Sequence, residues 1–179
     1  MKSSYLRIFI LFGLAISSSN AIAQASIQQF QGEWSGLLLI SNQGQITDSV
    51  EVLLTVEPLE NSQGYTWKTE YLSKEYPIIK DYQLIPSDTL ENVYVLDEQN
   101  EIYLYQYLHG NKLYSQFEVQ GSQLSSSYEL VDDRLIFEVI SGKKLNVTNG
   151  VTNFAVTNVQ RAVLERLDSD LETQYIRKK

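Results

Sequence analysis

The stretch Phe30-Gln31-Gly32-Glu33-Trp34 opens the first strand-like segment of this chain, and it is the stretch from which the fold can be worked out. Near the other end, Val159-Gln160-Arg161-Ala162-Val163-Leu164 is the last such segment. Everything between Gly32 and Arg161 has the character of β-strands and turns, without a long helical pattern. The two segments therefore mark the start and the end of one strand-only region.

Apolar and polar residues alternate along this region, and turn residues interrupt the alternation at short intervals, as is typical of strands joined by short turns. The pattern predicts ten strands, at about 32–41, 46–57, 65–72, 78–85, 92–96, 101–108, 112–119, 124–130, 134–140 and 154–167. The stretch 141–153 contains two glycines and several asparagines, and it is predicted as a loop.

The fold class that follows is all-β, an antiparallel up-and-down meander closed into a barrel of about eight to ten strands. Closure removes the two exposed edges that an open meander would leave. A two-sheet sandwich would give similar alternation and stays open as an alternative. Ten strands enclose more space than side chains fill, so the strand count itself predicts a cavity.

Alternation also predicts which side chains face that cavity. In the second strand the inward set includes Ile46 and Val50 as well as two of the candidates below. Small serines among larger apolar residues would leave hollow space with weak polar groups, as in small-molecule pockets. The predicted ligand-cavity residues are Val52, Leu54, Ser115, Phe117, Ser126, Tyr128 and Phe137.

Tyrosine is abundant, at 12 of 179 residues, and Tyr103, Tyr105 and Tyr107 fall on one face of the sixth strand. One interpretation is an aromatic ladder that stacks on a sugar or another ring. The other is ordinary packing on an exposed sheet face, which the β-propensity of tyrosine favours. We prefer the second interpretation.

The ends of the chain differ from the rest. Residues 1–25 combine Lys2 and Arg7 with the apolar run Ile8–Ile16 and small residues around Ala23 and Ala25, which is the pattern of a cleaved secretory signal peptide. Cleavage is expected after one of these two alanines, and the apolar run is too short for a membrane span. The predicted single domain is 26–167, and 168–179 is predicted to be a charged flexible tail.

Composition narrows the compartment and the partners. The chain has no cysteine, whereas a small secreted animal domain would usually carry disulfides, so a periplasmic or secreted bacterial protein is expected. Loss of the leader would take the formal net charge from −8 to −10. Such an acidic chain is a poor partner for nucleic acid. Glutamates on the outward face of the strands, among them Glu51 and Glu138, argue against a barrel that spans the outer membrane.

Catalytic and metal-binding motifs are missing from the sequence. His109 is the only histidine and lies beside Gly110 in a predicted turn. One histidine without cysteine cannot form a usual zinc site, and a serine triad would need the same histidine. We therefore expect no metal, no cofactor and no enzymatic activity.

Gly32-Glu33-Trp34 after a leader, a strand-only chain and Arg161 in the last strand together resemble the calycin superfamily, specifically a bacterial lipocalin-like or fatty-acid-binding-like protein. The resemblance implies an antiparallel barrel with an apolar cavity for small hydrophobic molecules. It also implies structural roles: Gly32 allows close backbone approach, Trp34 plugs the barrel, and Arg161 stacks over the indole. The chain lacks the histidine expected of the haem-binding branch with ten strands.

The function expected from sequence is therefore an exported binding protein that holds a small apolar or amphipathic ligand without catalysis. The alternative is a secreted interaction or carbohydrate-binding module that uses the tyrosine face.

Overall fold

A computed structural model describes residues 26–60 and 62–167, and it confirms the all-β barrel. Each strand pairs with its neighbour in the chain, and β10 returns to pair with β1, so the sheet is closed and entirely antiparallel. The strands are β1 (Gly32–Asn42), β2 (Gln45–Val56), β3 (Tyr65–Tyr71), β4 (Ile78–Pro86), β5 (Val93–Asp97), β6 (Tyr103–His109), β7 (Lys112–Val119), β8 (Ser122–Val131), β9 (Arg134–Thr148) and β10 (Val151–Arg166). The ten predicted strands are all present.

Three of the turns show why these strands form hairpins. Gln43-Gly44, Gln120-Gly121 and Asn149-Gly150 each have positive φ at both residues. That conformation is the type I′ turn, whose twist matches that of the strands it joins. Glycine at the second position adopts it without strain from a Cβ.

One end of the barrel, which we call the floor, lies where β1 begins and β10 ends. A short 3₁₀ helix (Ile27–Phe30) precedes β1 here, and the Ser26 side chain accepts a hydrogen bond from the Gln28 backbone N–H at its start. The side chains of Ile27 and Phe30 are buried, at 5% and 1% exposure. The 3₁₀ helix therefore caps the floor with apolar side chains.

The opposite end, which we call the open end, differs from the prediction. Residues 141–153 were predicted as a loop, and this is wrong. β9 continues to Thr148 and β10 starts at Val151, so the two form one long hairpin. Ile46, predicted to face inward, is 63% exposed because the β1–β2 hairpin also extends to this end and its register shifts between Ile40 and Ser41.

Two ladders of the barrel wall are short. β2 and β3 pair only from Val52↔Tyr71 to Thr55↔Lys68. β6 and β7 pair only over the three positions next to their turn, from Tyr107↔Tyr114 to His109↔Lys112. Each strand keeps longer pairing on its other side. The wall is therefore less tightly joined at these two places.

Candidate functional site

The floor is closed by Trp34, whose side chain is 1% exposed. Its indole Nε1–H donates a hydrogen bond to the Phe30 carbonyl at 2.8 Å, which satisfies the polar edge of the ring. The guanidinium carbon of Arg166 lies 4.0 Å from the indole ring centroid. Arg166 also donates hydrogen bonds to the carbonyls of Gln31 and, at 3.2 Å, Gln29. Arg166 therefore joins the end of β10 to the segment that leads into β1.

The prediction gave this stacking role to Arg161, and the structure corrects it. Arg161 lies opposite Leu39 of β1 and points outward, where its Nε is 3.5 Å from Oε2 of Glu138. The buried residues Ala162 and Leu164 are at even positions of β10, so Arg166 shares their inward direction and Arg161 does not. Continuing the alternation from Ala162 by two steps would have identified the correct residue.

Gly32 has the role that the resemblance implied, with a specific cause. Its φ is +122°, a conformation that side-chain-bearing residues rarely adopt. A Cβ at this position would collide with Nη1 of Arg166. Glycine is thus required both for the backbone and for the space that the guanidinium occupies.

Above the floor, aromatic rings fill the lower half of the barrel. The Phe30 and Trp67 ring centroids are 6.0 Å apart, and Trp67 meets Tyr128 edge-on at 5.0 Å. Tyr128 in turn stacks on Phe137 at 4.7 Å. Burial raises the pKa of Tyr128, so its phenol stays neutral. We call these four residues the aromatic column. The sequence analysis did not identify Trp67 as part of the core.

Towards the open end the interior is not filled, and a cavity of about 610 Å³ remains. Its apolar wall includes Leu38, Ile40 and Val50 from β1 and β2. Polar groups come from Tyr71 of β3, from Gln160 of β10 and from the carboxylates of Asp48 and Glu51 on β2. Part of the β3–β4 connection also borders this space, where the β2–β3 ladder has ended. The cavity is amphipathic in its lining, and it opens to solvent where the β2–β3 ladder ends, on the side of the open end.

Lys80 provides a positive charge in this cavity. It lies opposite the buried Thr69, and its Nζ is 5.5 Å from the Tyr71 ring centroid and 5.9 Å from that of Tyr82. Among the described residues, no carboxylate forms a salt bridge with Lys80. Burial and the neighbouring Glu98 carboxylate raise the pKa of Tyr82 to about 12. The aromatic rings thus support the ammonium, which can donate hydrogen bonds to an anionic or polar group.

The seven predicted cavity residues occupy other positions than the lining of this cavity. Val52, Leu54 and Phe137 are buried at 2%, 1% and 8% exposure and belong to the packed core, and Tyr128 packs against this core. Phe117 and Ser126 are half-buried on β7 and β8. Ser115 is 1% exposed and borders a separate depression. Their role as ligand contacts stays a prediction.

The tyrosine face is exposed, in agreement with the interpretation that we prefer from the sequence. Tyr103, Tyr105 and Tyr107 are 59%, 54% and 42% exposed on the outside of β6. Tyr114 of β7 lies opposite Tyr107 and adds a fourth ring. His109 is exposed next to the β6–β7 turn, and its ring centroid is 6.0 Å from that of Tyr114.

Metal-binding clusters and membrane-spanning helices are both absent from the described part of the chain. It contains no group of three or more histidine, aspartate or glutamate residues that could hold a metal ion. It also contains no helix that is long and apolar enough to pass through a membrane. The predicted leader 1–25 and tail 168–179 lie outside the described residues.

No protein-family model and no curated protein matches this sequence. Solved structures do match. An S-type phycobiliprotein lyase, CPES from Guillardia theta, has a TM-score of 0.60 at 11% identity, over 83% of this chain and 96% of the lyase. A DUF3598-family protein of unknown function from Nostoc punctiforme has a TM-score of 0.57 at 14% identity, over 79% of this chain. This chain spans about half of that protein, 49% of its length. At such low identity these similarities support the closed β-barrel fold alone.

Proposed function

We propose that this protein is an exported, non-catalytic binding protein that holds a small apolar or amphipathic ligand at the open end of its barrel. The observation that carries the proposal is the cavity of about 610 Å³ above a filled aromatic column. Its volume falls within the range of about 300–1,000 Å³ that is usual for small-molecule sites.

The lining favours a ligand with two chemically different ends. An apolar part would pack against Leu38, Ile40 and Val50, which removes apolar surface from water. An anionic or polar end would approach Lys80, whose ammonium has no salt-bridge partner among the described residues. A similar barrel occurs in the S-type phycobiliprotein lyase from Guillardia theta.

Export belongs to the same proposal, and it is supported by the leader-like pattern of residues 1–25. The test is to produce the full chain in a Gram-negative bacterium, fractionate the cells, and analyse the protein by native mass spectrometry. We expect periplasmic or secreted protein that starts after Ala23 or Ala25 and carries a small-molecule mass increment. Unprocessed protein in the cytoplasm would contradict export. Protein without any bound small-molecule mass would contradict ligand binding.

A second candidate function is recognition of a partner by the tyrosine face. Its support is the exposure of Tyr103, Tyr105 and Tyr107 along one strand, since tyrosine provides large amphipathic contact area. Replacing all three with alanine should abolish partner binding without a change in the unfolding midpoint. Binding that survives the triple substitution would exclude this face.

A further inference from the structure

The β9–β10 hairpin projects beyond the strands on either side of it. β8 pairs with β9 only as far as Lys143, and β1 pairs with β10 only as far as Asn158. Residues 144–148 and 151–156 therefore pair in the sheet only with each other. At about 3.3 Å per residue, this two-stranded ribbon extends about 15 Å past its neighbours. We call residues 143–156 the ribbon tip.

Apolar side chains are exposed on both faces of the ribbon tip. Phe154 lies opposite Lys144, an even position of β9, whereas Leu145 and Val147 are at odd positions. Successive residues of a strand point to opposite faces, so the phenyl ring and these two aliphatic side chains lie on different faces. Five apolar residues of the ribbon tip are between 42% and 58% exposed: Leu145, Val147, Val151, Phe154 and Val156. Contiguous exposed apolar surface of this kind marks a site of interaction with a protein or a membrane.

The charge of the ribbon tip is opposite in sign to that of the whole chain. Between Val139 and Gln160 the only charged residues are Lys143 and Lys144. Both are exposed, and neither forms a salt bridge with a carboxylate of the described residues. The chain as a whole has a formal net charge of −8. Positive charge and exposed apolar side chains therefore coincide on a projecting element of an acidic protein.

These features fit the surface of an anionic lipid bilayer better than the surface of a second protein. A protein partner would cover one face of the ribbon and leave the other in water, whereas the interface of a bilayer surrounds a tip that enters it. Register shifts between Thr152 and Phe154 and between Val156 and Asn158 distort β10, which disfavours the addition of a further strand at its edge. Anionic headgroups attract lysines that lie close to the bilayer.

We infer that the ribbon tip binds the surface of bilayers that contain anionic lipid. Lys143 and Lys144 would contact the headgroup phosphates, and Leu145, Val147 and Phe154 would enter the boundary between headgroups and acyl chains. No other described strand pairs with the outer edges of the ribbon, so the tip would stay at the hydrated interface and would not cross the hydrocarbon. This inference goes beyond the proposed function, because it concerns the hairpin and needs no ligand in the cavity.

The test is co-sedimentation of the full protein with vesicles made of equal parts of phosphatidylglycerol and phosphatidylcholine, and with vesicles of phosphatidylcholine alone. We expect binding to the anionic vesicles to be tighter by about tenfold or more. Lys143→Gln combined with Lys144→Gln should remove this preference. Leu145→Ser combined with Phe154→Ser should weaken binding to the anionic vesicles by about tenfold or more, because less apolar surface then leaves water.

A second measurement reports on the ribbon tip alone. Because the chain has no cysteine, Asn146→Cys can carry a polarity-sensitive dye at a single place. The dye emission should shift to shorter wavelength when the anionic vesicles are added. Vesicle binding that leaves the emission unchanged would place the contact elsewhere on the chain and would overturn the inference.

Leu90→Ser combined with Tyr105→Ser is the matched control, since it removes one exposed aliphatic and one exposed aromatic side chain outside the ribbon tip. This control should bind the anionic vesicles like the parent. Absence of vesicle binding in the parent, or an equal loss in the control and in the Leu145 and Phe154 variant, would overturn the inference. Dimers in solution that the Leu145 and Phe154 variant disrupts, without any vesicle binding by the parent, would overturn it in favour of a second copy of the chain.

Discussion

Arg166 stabilises the floor in two ways, because its guanidinium stacks on Trp34 and also holds the carbonyls of Gln29 and Gln31. We expect Arg166→Ala to lower the free energy of unfolding by about 1–2 kcal/mol. This value combines the loss of an exposed cation–π contact with the loss of charge-assisted hydrogen bonds, both of which solvent weakens. Arg161→Ala is the control and should change it by no more than about 0.5 kcal/mol. Denaturant unfolding followed by tryptophan fluorescence measures both. A larger loss in the Arg161 variant would restore the original prediction.

Tyr82 should make the fold sensitive to alkaline pH. Burial and Glu98 raise its pKa from 10.0 to about 12, so the folded state favours the neutral phenol. The stability that this provides is fully present below pH 10 and is lost as the pH rises through about 12. Unfolding measured across this range should show a smaller alkaline loss in Tyr82→Phe than in the parent. The exposed Tyr103→Phe should behave like the parent, and equal losses in both variants would refute the assignment.

The sequence analysis predicted the correct strand for the arginine that stacks on Trp34, but it chose the wrong residue of that strand. Gly32 and Trp34 could be identified because the resemblance assigns structural roles to a glycine and a tryptophan at the start of the first strand. The partner could not be chosen by residue type, since β10 contains two arginines. The direction in which each side chain points decides between the two arginines, and the alternation that buries Ala162 and Leu164 fixes this direction.

At the scale of strands, β8 and β9 place Tyr128 and Phe137 opposite each other in the aromatic column. Phe137→Ala should lower the free energy of unfolding by about 3–5 kcal/mol, because it removes a buried ring and leaves a cavity. Phe154→Ala is the matched control, since Phe154 lies on β10 and is 42% exposed. It should stay within about 0.5 kcal/mol of the parent. Similar losses of unfolding free energy in both variants would show that the aromatic column does not stabilise the core.

The β9–β10 hairpin shows why one element was missed. Near its tip, residues 143–147 are all exposed, so neither face of the ribbon selects apolar side chains. Alternation is a sign of one buried face, and it disappears when a hairpin extends into solvent. Only Asn149-Gly150 remained as a local signal, and this pair was interpreted as a loop instead of a two-residue turn.

For the molecule as a whole, the strand count predicted that some interior space would remain, but not where. The location depends on ring sizes: Trp67, Tyr128 and Phe137 fill the lower half, while Val50 and Ile40 leave the upper half open. Such packing follows from which side chains meet across non-neighbouring strands. A single sequence gives their inward direction without giving their height in the barrel.

The central claim is that the cavity at the open end binds a small amphipathic molecule, and a fluorescence titration with anilinonaphthalene sulfonate tests it most directly. This probe has an apolar ring system and an anionic end, which match Leu38, Val50 and Lys80. We expect saturable binding at one site, weakened by about tenfold or more in Lys80→Gln and abolished in Val50→Trp, which fills the cavity. Val156→Trp, on the exposed part of β10, should bind like the parent. Binding that is absent in the parent, or unchanged in Val50→Trp, would contradict the account.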